Sequence, residues 1–218
     1  MSFFRPNRYP GKLIAIEGID GAGKSTQLRL LAHWLRSLDA SVVEFEWRGF
    51  PVDEPFTPTS LALQHCDSFM RCLDRVKPAL KNGSIVCADE YALAGMTRDL
   101  VRGMSRRWAQ NLYAQAFKPA VTIYLRLPVE IAMRRLKPIS PLMAGMDLGL
   151  SLIPEESFRL FQGRLASEYE AMAREHNFQI IDATAAIRDQ QLQIREIVKR
   201  IIPTQRKQAR AAAAASIH

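Results

Sequence analysis

The residues in this chain whose types and spacing could do chemistry lie in the run GIDGAGKS, from Gly18 to Ser25. Gly18, Gly21 and Gly23 permit backbone turns that bring successive N–H groups toward one point, and an N–H cluster of that kind binds anions. Lys24 adds a mobile cation and Ser25 a hydroxyl suited to a hard metal ion. The run fits G-x-x-x-x-G-K-[ST] in full, the pattern in which glycine backbone cradles phosphates, the lysine reaches the β- and γ-phosphates and the hydroxyl ligates Mg²⁺. Asp20, Ala22 and Thr26 belong to the same cradle by position. The chemistry implied is the binding of ATP with Mg²⁺ and the transfer of its terminal phosphoryl group.

Such a turn works only between a buried strand and a helix. Lys12 to Glu17 is an apolar run of strand length, and from Lys24 to Leu38 the apolar Leu28, Leu31, Leu35 and Leu38 recur at helical spacing. Further along, Ser41–Trp47, Ser84–Asp89, Val121–Leu127 and Phe178–Asp182 read as strands. Helices are expected from Thr59, as a cap, to about Asn82, from about Thr97 to Phe117, in a short piece after Pro128, from Glu155 to Glu175, and from about Arg188 to Ile201. Residues 137–154, rich in proline and glycine and without a period, read as a mobile loop. Five strands alternating with helices predict an α/β fold with a parallel sheet covered on both faces, because parallel strands need crossover connections.

Composition sets the outer bounds. A chain of 218 residues with 48% apolar and 24% charged residues suits one globular domain, expected over residues 1–202. The tail 203–218 is basic and alanine-rich and is expected to be disordered. Lys199, Arg200, Arg206, Lys207 and Arg210 supply five of the net +8 charges. The remaining body is modestly basic, as a site for polyanionic nucleotides would be. Nucleic acid is a weak alternative, since no aromatic platform is interleaved with that basic tail. Cys66, Cys72 and Cys87 are odd in number and lack metal-site spacing, which favours a reducing, cytoplasmic setting. No apolar run is long enough for a membrane span or a signal peptide. His33, His65, His176 and His218 show no metal-ligand spacing.

The segment IAIEGIDGAGKSTQ, residues 14–27, resembles the start of a thymidylate kinase, and so do VKPALKNGSIVCADEYA (76–92), FKPAVTIYLRLPVEIAMRRL (117–136) and FQIIDAT (178–184). The resemblance implies a P-loop nucleoside monophosphate kinase that moves the γ-phosphoryl of ATP to dTMP, using Mg²⁺ and a closing lid over residues 137–154. It also implies a sheet order of 2-3-1-4-5 and a homodimer. By position it sets Asp20 toward the acceptor sugar, Asp89 as an organiser of Mg²⁺ or of the acceptor end, Arg48 near the acceptor phosphate, and Arg134 and Arg135 at the mouth of the lid. Phe69 and Tyr91 follow the segments that resemble the acceptor pocket and are candidates for contact with the base. Asp89 also ends a buried strand, where open α/β sheets hold their ligands.

Several positions depart from the family pattern. Its Asp-Arg-Tyr is here Asp89-Glu90-Tyr91, and its later Ser and Tyr-Gln are matched by Ala94 and by Arg98-Asp99. The expected helix arginine falls on Ser68, with Arg71 three residues on and thus on nearly the same face. Arg71 and Arg98, with Arg48, are the candidate clamps for an acceptor phosphate. Between Arg135 and Arg159 the only basic residue is Lys137. Two further readings stay open on these grounds: a P-loop kinase for another small acceptor, and a nucleotide-binding protein that has lost turnover.

Overall fold

The computed structural model describes residues 3–47 and 58–202. Its frame is one parallel sheet of five strands, β1 (Lys12–Glu17), β2 (Val42–Glu46), β3 (Ile85–Asp89), β4 (Val121–Arg126) and β5 (Gln179–Asp182), in the order β2-β3-β1-β4-β5. β1 lies at the centre, paired with β3 (Ile16 beside Asp89) and with β4 (Ile16 beside Ile123). Leu13, Ile14, Ala15 and Ile16 are therefore wholly buried. A strand covered on both faces carries a continuous apolar run, as this one does.

The helices cover both faces: α1 (Lys24–Arg36), α2 (Pro58–Arg71), α3 (Lys77–Lys81), α4 (Ala92–Val101), α5 (Arg106–Tyr113), α6 (Val129–Arg135), α7 (Pro141–Ala144), α8 (Pro154–His176) and α9 (Ile187–Lys199). The expected helix from Thr59 starts one residue earlier, at Pro58, so Thr59 lies in its first turn. That helix also widens into a π-turn at Cys72–Val76 before α3.

The helix expected from Thr97 to Phe117 is two helices. Gly103, at φ 93°, closes the first in the left-handed region, and the Ser105 hydroxyl accepts the Trp108 N–H at 3.3 Å to cap the second. The stretch 137–154 is also not an irregular loop. Ser140 caps α7 by accepting the Met143 N–H at 3.3 Å, and a 3₁₀ turn follows at Met146–Leu148. None of the described helices is long and apolar enough to cross a membrane.

Candidate active site

The turn after β1 opens with Gly18 at φ 149°, where a Cβ would stand 2.8 Å from the Leu125 carbonyl oxygen of β4. Only glycine lets the chain pass so close to the neighbouring strand. Gly23, at φ 91°, is the N-cap of α1, and a Cβ there would meet nothing within 4 Å. The space beside the helix N-terminus is thus open to a phosphate, with the first-turn N–H groups of α1 and the helix dipole at its edge. Lys24 and Ser25 are the first residues of α1, and Ser25 is exposed.

Four charged side chains meet at the C-terminal edge of the sheet. Lys24 Nζ lies 3.1 Å from Glu90 Oε1 and 3.9 Å from Asp20 Oδ1, and donates to the Ile19 carbonyl at 3.0 Å. Arg98 donates to Glu90 with both terminal nitrogens, at 2.9 and 3.1 Å, and lies 3.5 Å from Asp20. Glu90 is only 5% exposed, so it depends on this pairing. Burial would raise its carboxyl, but Arg98 and Lys24 together hold it well below the usual carboxylate range. Burial would lower Arg98, and Glu90 and Asp20 instead raise it well above its ordinary value.

Two buried groups support this cluster. The Gln162 side chain, on α8, accepts the Asp20 N–H at 3.1 Å and donates to Asp20 Oδ2 at 3.0 Å and to the Met143 carbonyl at 2.8 Å. Glu17 accepts the Tyr91 N–H at 3.0 Å and the Tyr169 hydroxyl at 3.3 Å. Burial, then the nearby charge of Glu90, pushes the Glu17 carboxyl well above its ordinary range.

Of the residues singled out from the sequence, Asp20, Lys24 and Arg98 converge here. Asp89 ends β3 beside Ile16 of β1, one residue short of the phosphate-binding turn. Arg135 donates to the Gly21 carbonyl at 3.3 Å and to the Ala183 carbonyl at 3.0 Å, bracing the turn against the segment after β5. Its neighbour Arg134 is exposed. Arg71 pairs with Asp67 at 3.0 Å and lies over the Phe45 ring. Phe69 packs edge-on against Trp47, with ring centroids 5.2 Å apart. Arg48 lies outside the described residues.

Tyr91 is placed differently from the expectation of base contact. Its ring is wholly buried against Trp47 and Phe45, and its hydroxyl accepts the Phe117 N–H at 3.0 Å. Glu90, at φ 58°, turns the backbone so that residue 90 faces the cluster and residue 91 the core. His65, which carries no metal-ligand spacing, is partly buried with Nε2 3.2 Å from Asp99 Oδ2, and Asp99 also accepts the Tyr113 hydroxyl at 2.7 Å.

The segment over the site is tied down at several points. Ser157 donates to the Ala144 carbonyl at 2.8 Å, Gln162 holds Met143, and Arg102 of the α4 end donates twice to Asp147, at 3.0 and 3.3 Å. The mobile loop expected over 137–154 is therefore a docked segment, because Ala144 is buried and the Met143 and Ala144 carbonyls accept from Gln162 and Ser157 of α8.

No described group of three or more His, Cys, Asp or Glu side chains could cage a metal alone. Ser25 and Asp89, both oxygen donors on adjacent elements at one sheet edge, fit Mg²⁺, which keeps waters and takes few protein ligands.

Comparison with known proteins gives a consistent result. The family model described as "Thymidylate kinase" matches residues 16–194. A protein named "Probable thymidylate kinase 2" from Saccharolobus solfataricus is 37% identical over 204 residues, covering 86% of this chain and 95% of its own. "Probable thymidylate kinase" from Pyrococcus abyssi is 27% identical, covering 87% and 96%, and "Thymidylate kinase" from Thermosipho africanus is 29% identical, covering 86% and 97%.

Proposed function

This chain belongs to the thymidylate kinase family, and from that premise we propose how its own residues carry the γ-phosphoryl group of ATP to dTMP. The observation that carries the reading is the convergence of Lys24, Glu90, Arg98 and Asp20 beside an open phosphate cradle. The backbone from Gly18 to Ser25 holds the triphosphate, with Lys24 neutralising its β- and γ-oxygens. Ser25 and Asp89 would hold Mg²⁺, which when bound spreads the charge of the transferring group.

The acceptor oxygen of dTMP is already anionic at neutral pH, so no general base is required. It attacks the γ-phosphorus in line, the bond to the β-γ bridging oxygen breaks, and ADP leaves with that electron pair. The protein's task is positioning and neutralising charge. Asp20, held from two sides by Gln162, faces the sugar. Arg98 and Arg71 supply cations for the acceptor phosphate, and Arg48 is assigned with them from its place after β2. Phe69 lines the base. Arg135 braces the turn, and Arg134, exposed beside it on α6, is assigned as the cation for the transferring phosphoryl, since in 137–154 only Lys137 is basic.

The alternatives of another acceptor or lost turnover drew on Glu90, Ser68 and the weakly basic 137–154 segment; of these, Glu90 is balanced by Lys24 and Arg98, and Ser68 donates to the Trp47 carbonyl at 3.1 Å. Residues 1–202 acting as one domain, a homodimer and a cytoplasmic setting complete the proposal, the last supported by the buried free thiols Cys72 and Cys87. A coupled ADP-release assay across the nucleoside monophosphates tests the reading. The highest kcat/KM falls on dTMP, and a higher value for any other acceptor refutes it.

A further inference from the structure

In P-loop proteins the lysine of the loop serves the nucleotide by donating to its terminal phosphates. Here Lys24 is turned elsewhere. Its ammonium donates to the Ile19 carbonyl and rests 3.1 Å from Glu90 and 3.9 Å from Asp20. Glu90 is buried and carries a left-handed backbone, φ 58°, which a residue with a Cβ adopts only where its surroundings impose it. Those surroundings include a backbone bond from the Glu90 N–H to the Ile16 carbonyl at 3.1 Å and the Tyr91 N–H bond to Glu17. The carboxylate is thereby aimed at two cations. Among the described residues Oε2 takes Arg98, and Oε1 is shared between Lys24 and Arg98.

A phosphate that draws Lys24 into the cradle must take it from Glu90. Once it has done so, Glu90 keeps a bidentate partner in Arg98, and its whole charge serves to fix that guanidinium at the mouth of the phosphate-binding turn. We infer that Glu90 is a positioning residue that competes with the nucleotide's phosphates for Lys24 and, on losing that competition, locks Arg98 in place beside Asp20. Only the second half rests on the phosphotransferase reading above; the first concerns nucleotide binding alone.

The two halves pull measurable quantities in opposite directions. Glu90→Gln keeps the shape and hydrogen-bonding reach but removes the charge, so Lys24 is released more readily and Arg98 is held less firmly. A non-hydrolysable ATP analogue with Mg²⁺ should then bind roughly five- to ten-fold more tightly, the difference between a charge-assisted and a neutral hydrogen bond. The kcat with dTMP should fall. A packing defect would instead weaken both.

Arg98→Gln, at a side chain about one-third exposed, makes the complementary change. It leaves Glu90 to Lys24 alone, and the analogue should bind several-fold more weakly. Titration calorimetry on the full chain, with thermal unfolding as the folding control, reads both variants. Tighter binding in Glu90→Gln with weaker binding in Arg98→Gln supports the inference. Unchanged or weaker binding in a folded Glu90→Gln overturns it, and if that variant does not fold, unchanged or tighter binding in Arg98→Gln overturns it instead. Should wild type transfer no phosphoryl group to dTMP while the affinities move as stated, the acceptor reading fails and the competition for Lys24 stands.

Discussion

Replacing Gln162 by leucine removes three hydrogen bonds from a side chain with no solvent exposure: from the Asp20 N–H at 3.1 Å, to Asp20 Oδ2 at 3.0 Å and to the Met143 carbonyl at 2.8 Å. Leucine has similar volume, so no cavity follows and the cost is electrostatic. A neutral bond contributes about 1 kcal/mol net and a bond to a carboxylate about 1.5 to 3 kcal/mol, and the Met143 carbonyl loses this partner in a dry setting. Asp20 is 17% exposed and regains some water, which offsets part of the loss. The expected cost is about 3 kcal/mol. For a domain of this size each kcal/mol lowers Tm by roughly 2 to 4 °C, so the midpoint should fall by roughly 6 to 12 °C. The acceptor KM should rise more than that of ATP, because Asp20 is the group set loose. Differential scanning calorimetry and steady-state kinetics read these two effects. A shift of less than about 2 °C, with an unchanged acceptor KM, would refute the claim that Gln162 joins the turn to the 137–154 segment.

Lys24→Ala should lower turnover by roughly a hundred-fold or more while far-UV circular dichroism stays native, since Glu90 retains Arg98. Asp89→Asn should shift activation to higher Mg²⁺ concentration, and an identical Mg²⁺ titration would return Asp89 to a structural role. Arg102→Ala removes the double contact to Asp147 and should open residues 137–154 to limited proteolysis, with roughly 5- to 30-fold faster cleavage for a loss of about 1 to 2 kcal/mol. Because the folded pKa of Glu90 is depressed, its contribution to stability is full above its ordinary value of 4.5 and is lost as pH falls below that. The raised folded pKa of Glu17 acts oppositely, removing stability as pH climbs above 4.5 into its raised range. Urea midpoints should therefore fall less for Glu90→Gln than for wild type between about pH 5 and pH 3, and Glu17→Gln should lessen the decline as pH rises above 4.5.

The phosphate-binding turn was legible because its parts are contiguous: strand, glycines, lysine and helix follow one another within residues 12–36, and each carries a local signal. The strands were legible for the same reason. The partners of Glu90 were not, because Arg98 lies eight residues on, past the Glu90–Tyr91 turn and within α4, and Lys24 joins only through the β1–β3 pairing. Gln162 is 142 residues from Asp20 and carries no local mark of its task. Glu17 offered one, an acid closing an apolar strand just before the glycines. Two local signals were present and outweighed. Gly103 stood inside an otherwise helical pattern, and Ser140-Pro141 is a cap followed by a first-turn proline, a helix start within a stretch whose other prolines suggested only breaks. Tyr91 faces the core because Glu90 takes the left-handed conformation, which sequence does not announce at a glutamate.

The account's central claim is that the cluster of Lys24, Glu90 and Arg98 serves transfer of a phosphoryl group to a second phosphate, rather than to water. Incubating the full chain with Mg²⁺, dTMP and ATP radiolabelled at the γ-phosphorus, and separating the products chromatographically, tests it directly. The account predicts label in dTDP for wild type, with little in inorganic phosphate, and loss of the labelled dTDP in Lys24→Ala. Label recovered chiefly as inorganic phosphate, or labelled dTDP undiminished in Lys24→Ala, would contradict it.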